Sequence, residues 1–193
     1  MAATQSPVTP IGLAPVAPPA RPRVLLVGTC LAIAAVIMTF VGLLGIYTTT
    51  RSAALAHGGT WLPTGVAIPL TPGTMSLFTL ILSVITMWWA ADAVGRNDRQ
   101  GAFVALGLTI MFGVCVINAT SFLLIQSKLT INTTPGVLIY TIVGAHLALL
   151  VSGLIYAAVM TFRTLGGNYN HRDREGVVSA AFFWYAVVAV YVA

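Results

Sequence analysis

The sequence predicts an all-α, polytopic membrane protein: five transmembrane helices in an up-down bundle, N-terminus in and C-terminus out. Three observations carry this. The 193 residues are 58% apolar and 7% charged, where a soluble globular domain carries about 25% charged residues. The apolar residues gather into five runs: roughly Val24 to Tyr47, Pro69 to Ala91, Ala102 to Ile125, Val137 to Phe162 and Val177 to Ala193. Each is close to the ~20 residues of helix that cross a bilayer core. The nine basic and four acidic side chains all lie outside those runs.

Residues 1–22 hold Pro7, Pro10, Pro15, Pro18, Pro19 and Pro22, a density that forbids a helix and predicts a disordered, extended cytoplasmic tail. Residues 23–193 form the membrane domain. The first span follows late positive residues and is too long for a cleavable leader, so it is expected to remain as a signal-anchor. The next loop carries Gly58, Gly59, Trp61, Pro63 and Gly65, and Pro69 opens the second span, where a proline is tolerated in the first turn. Trp61, Trp88, Trp89 and Tyr140 near span ends fit the headgroup level. The loop from Asp92 to Gly101 is a short charged turn, which makes spans two and three a hairpin. Gly166 and Gly167 are placed to end the fourth helix. Short loops predict that sequential helices are neighbours.

Orientation follows from the cations. Arg21, Arg23, Arg96, Arg99, Arg163, Arg172 and Arg174 fall on one side, and only Arg51 and Lys128 on the other. Lysine and arginine favour the cytoplasm, so seven against two places the N-terminus inside and the C-terminus outside the plasma membrane. The dispersed arginines form no basic stripe, and nucleic acid is not an expected partner.

Candidate chemistry is sparse. Asn118 and His146 are the most polar side chains at membrane depth, and both are expected to face other helices, because an amide or imidazole in hydrocarbon needs a partner. His146 has no second His, Cys or carboxylate three or four residues away, so an interhelical contact is the reading, not a ligand. Gly144, Ala148 and Ser152 recur at four-residue intervals, a small-residue row that lets a neighbouring backbone approach. Cys30 and Cys115 read as small apolar fillers. With no phosphate loop, nucleophile elbow or paired carboxylates, catalysis by the chain alone is not expected.

Four segments in order resemble subunit III of the haem-copper (cytochrome c) oxidases, in its short five-helix form. They are IAAVIMTFVGLLGIYTTTR (Ile33 to Arg51), GGTWLP with the downstream LILSVITMWWAADAVGRNDRQG, VGAHLALLVSGLIY (Val143 to Tyr156), and REGVVSAAFFWYAVVAVYV (Arg174 to Val192). The departures from the family pattern are systematic. Val36 stands where the family has an intramembrane glutamate, Asn118 and Ser121 where it has a glutamine and a glutamate, and Leu149 where it has the second of two histidines. Tyr185, Val188 and Tyr191 stand for His, Asp and Trp, while His146, Trp184 and Glu175 are kept.

The resemblance implies a non-catalytic subunit of a bacterial terminal oxidase or respiratory supercomplex. Such a chain packs against a catalytic subunit I-like membrane protein and holds phospholipid in a cleft between its helices. It binds no haem or copper itself, those belonging to partner subunits. The loss of the polar set as a unit argues against a family-like role in proton delivery. Two alternatives are a subunit III homologue associated with nitric oxide reductase, acting in maturation or stability, and a scaffold subunit of another membrane oxidase or monooxygenase. The candidates for interhelical, lipid or subunit contact are His146, Asn118, Trp184, Glu175, Arg51, Gly144, Ala148 and Ser152.

Overall fold

The computed structural model describes residues 23–63, 65–167 and 174–193. The expected tail, residues 1–22, and the loop residues His171, Arg172 and Asp173 lie outside them. Five helices stand where the five spans are expected: α1 (Val24–Ala56), α2 (Leu70–Gly95), α3 (Arg99–Gln126), α4 (Thr134–Leu165) and α5 (Glu175–Val192). All five are long and apolar enough to cross a membrane.

Several helices run past their apolar cores, for local reasons. α1 continues through Thr48, Thr49, Thr50 and Ser52, whose hydroxyls bond to carbonyls three or four residues back. With no proline or glycine in that stretch, the helix carries Arg51 into its last exposed turns. α3 starts at Arg99 because the Asp98 carboxylate accepts the Gly101 N–H at 2.9 Å, and α4 starts at Thr134 because the Thr133 hydroxyl accepts the Gly136 N–H at 3.2 Å. Both are side-chain N-caps that satisfy a donor the helix leaves open. The C-terminus of α4 is capped at Gly166, and Gly167 follows at φ +74°, a left-handed turn that glycine makes without strain.

Helix polarity alternates. Glu175 at the start of α5 meets Leu26 at the start of α1, and Tyr191 near the end of α5 meets Gly73 near the start of α2. The packed pairs are α2–α3, α3–α4, α4–α5 and α2–α5, which close a four-helix ring, with α1 laid on α5 and touching α4. Sequential neighbours therefore hold for α2 through α5 but not for α1 and α2. The connection across residues 57–69 is long enough to free α1 from α2, and α1 takes the parallel place beside α5 instead.

The α2–α3 contact is the most extensive, and its residues explain why. Ser83, Ala90 and Ala93 on α2, and Ala102, Ala105 and Thr109 on α3, are fully buried. Small side chains let the two backbones close in, and in lipid that dispersion gain, rather than water exclusion, holds helices together. The Thr86 and Thr109 hydroxyls bond each other across the seam at 2.8 Å.

Candidate functional site

The centre of the ring is built around Trp184. The side chain is 1% exposed and projects from α5 into space vacated by two glycines. A Cβ added at Gly113 on α3 would stand 2.9 Å from Trp184 Cη2, and one at Gly153 on α4 would stand 3.0 Å from Trp184 Cε3. The indole Nε1–H donates to Ser83 Oγ on α2 at 2.9 Å, and the Ser83 hydroxyl in turn donates to the Leu80 carbonyl at 2.6 Å. One side chain of α5 thus touches all three other helices of the ring, with its single polar atom satisfied.

Toward the other end of α5 lies His146 of α4, 5% exposed. Its Nε2 lies 3.2 Å from the Val187 carbonyl. A carbonyl only accepts, so this nitrogen is the protonated one. The imidazole rests against the Tyr191 ring, centroids 5.2 Å apart, and the Tyr191 hydroxyl donates to the Gly73 carbonyl at 3.0 Å. His146 is a polar link between α4 and α5, continued by Tyr191 to α2.

Glu175 occupies the opposite end. Its Oε1 accepts the Leu26 N–H at 3.0 Å. Arg23, the residue before α1, supplies no side-chain cap, so a carboxylate from α5 satisfies a donor in the first turn of α1. It also sits in the first turn of its own helix, where the partial positive charges of both N-termini favour an anion. Glu175→Ala is expected to weaken the docking of α1 by about 1 kcal/mol, the usual worth of an N-cap. That corresponds to about fivefold faster hydrogen exchange at the α1 N-terminal amides. Unchanged exchange there would remove the capping role.

The other candidate contact residues lie at the surface of the chain. Asn118 is exposed on α3, at the edge of a groove it shares with Thr71 and Pro72 of α2, and bonds to neither. Gly144, Ala148 and Ser152 are exposed on α4, with open space around Gly144 and the Ser152 hydroxyl bonded back to Ala148. The close-approach seam is the α2–α3 one instead, whose signal is the spacing of Ala90 and Ala93 against Ala102 and Ala105. Arg51 is exposed. Cys30 and Cys115 are also exposed, on the faces of α1 and α3, not filling the interior.

Three of the positions that differ from the oxidase pattern serve as packing. Val188 is buried, and Leu149 and Tyr185 pack against the core; the Ser121 hydroxyl bonds to Ile117 of its own helix at 2.8 Å. Among the described residues no three His, Cys, Asp or Glu side chains come together as a metal site. What the arrangement does is fix five helices in register.

The family model for cytochrome c oxidase subunit III matches residues 19–193. The chain belongs to the cytochrome c oxidase subunit III family. Three similar curated proteins are all named cytochrome c oxidase subunit 3. The one from Cyprinus carpio is 27% identical over 138 residues, 69% of this chain and 52% of that protein. The one from Paracentrotus lividus is 26% identical over 142 residues, 72% and 54%, and the one from Sus scrofa is 28% identical over 140 residues, 69% and 52%. This subunit III-like chain spans about half the length of the curated relatives it matches.

Proposed function

We propose that the chain is a non-catalytic, subunit III-like component of a bacterial haem-copper terminal oxidase or respiratory supercomplex, resident in the plasma membrane. It packs against a catalytic subunit I-like protein and retains phospholipid at its apolar faces. Haem and copper belong to the partner subunits. Family membership over residues 19–193 is the observation that carries this reading. The interior supports it: Trp184, His146 and the Thr86–Thr109 pair bond helix to helix, as in a scaffold. The distribution of arginines supports an N-terminus in the cytoplasm and a C-terminus outside.

A second reading has its own support. Val36, Ser121, Leu149, Tyr185 and Val188 replace the polar groups of the family pattern, which favours a chain that stabilises a complex over one that helps move protons. A homologue acting in maturation or stability of a nitric oxide reductase fits that loss. Affinity purification of the tagged chain from mild detergent separates the two. Copper–haem oxidase subunits, with their visible absorbance, are the expected companions; a non-haem-iron reductase would favour the second reading, and a chain without haem absorbance would defeat both.

A further inference from the structure

We propose that the outward face of α3 pairs with the same face of a second copy of this chain, as parallel helices around a two-fold axis normal to the membrane. The observation is a seam left exposed among the described residues. Val104, Gly107, Met111, Val114, Asn118, Ser121 and Ile125 follow one another at alternating steps of three and four residues. All are exposed except half-buried Ser121, and Gly107 has open space where a Cβ would stand. Sustained alternation of three and four is the spacing at which two helices keep one stripe in mutual contact.

Asn118 identifies the occupant. α3 is 28 residues long, about 42 Å at 1.5 Å per residue. Centred on a hydrocarbon core of about 30 Å, it places Asn118, eight residues from its end, about 6 Å inside hydrocarbon. The amide makes no hydrogen bond among the described residues. It opens into a groove of about 390 Å³ whose other lining, Thr71, Pro72, Cys115, Ala119 and Phe122, is largely apolar. An amide there needs both an acceptor and a donor, and lipid ester and phosphate oxygens offer only acceptors. A second Asn118 offers both. Copies inserted the same way in one membrane can share only an axis along its normal, so their α3 helices run parallel. In that geometry a lone asparagine at the first position of a heptad meets its own counterpart and fixes the register.

The test uses the full chain in its own membranes. Cys30 and Cys115 are the only cysteines, so a Cys30→Ser, Cys115→Ser chain carrying Val114→Cys holds one thiol, on the seam. Oxidation is expected to trap it as a homodimer, while a chain retaining only Cys30, on α1, stays monomeric. In liposomes, energy transfer measured on dilution reads the association itself. Asn118→Leu, which removes no hydrogen bond among the described residues, is expected to weaken it by about 3- to 18-fold, the range for one interhelical hydrogen bond. Four outcomes would each overturn the proposal: no dimer at the seam cysteine, equal trapping through Cys30, trapping of a different protein, or association indifferent to Asn118→Leu.

Discussion

Replacing Trp184 with alanine is expected to loosen the whole four-helix ring, lowering stability by about 3 kcal/mol, roughly a hundredfold in the folding equilibrium. In a soluble core the range for such a truncation is about 3–5 kcal/mol. The lower end applies here because lipid is as apolar as the protein interior, so the transfer part of the loss shrinks and the lost dispersion contacts remain. The polar part is small for a structural reason. Ser83 keeps its own bond to the Leu80 carbonyl, so no hydroxyl hydrogen is stranded when the indole leaves. Trp184→Phe, which keeps most of the ring, is then expected to cost about 1 kcal/mol. Ser83→Ala reverses the asymmetry. It strands the indole N–H in a dry interior, about 1–3 kcal/mol, although it deletes far fewer atoms. Unfolding titrations in mixed detergent micelles would rank the three variants. Ser83→Ala milder than Trp184→Phe would mean that the Nε1–Oγ bond is not part of the native packing.

The order and number of the helices were legible because bilayer thickness writes itself into apolar run length. Their ends were less so. α1 extends to Ala56 on back-bonded threonines, and α4 opens at Thr134 on the Thr133 cap, neither of which depends on apolarity. Which face of each helix turns inward was the harder question, since in a membrane both faces are apolar and no amphipathic stripe marks the core. His146 turned inward as a polar side chain is expected to, and so did Trp184. Asn118 has the same polarity argument and points outward, because the rule that it must find a partner does not say that the partner lies in the same chain. Gly144 and Ala148 share a helix with His146 but sit two residues either side of it, well over a quarter-turn away, so a small-residue row and a buried imidazole could not both face the same neighbour. Glu175 capping α1 from 149 positions away has no local signal at all.

Gly113 is where the chain should tolerate substitution least. A Cβ there would lie 2.5 Å from Leu154 Cδ2 and 2.9 Å from Trp184 Cη2. The leucine methyl is the end of a flexible side chain and can turn aside. The indole cannot: it is held by Ser83 at Nε1 and backed by Gly153 on its other edge. Gly113→Ala recovers up to about 1 kcal/mol of helix propensity but forces a clash worth about 1–3 kcal/mol, so a net loss of about 1–2 kcal/mol is expected. Gly113→Val adds two more carbons to the same space and should lose about 3 kcal/mol or more. The diagnostic experiment is the pairing with Trp184→Phe. A phenyl ring withdraws the atoms that Gly113 faces, so Gly113→Ala in that background should be neutral or slightly stabilising. The resulting coupling is about 1–2 kcal/mol, within the range for residues in direct contact. Strict additivity of the two substitutions would show that α3 and α5 separate to admit the methyl group. The glycine would then owe its place to backbone approach between helices, and not to the indole it faces.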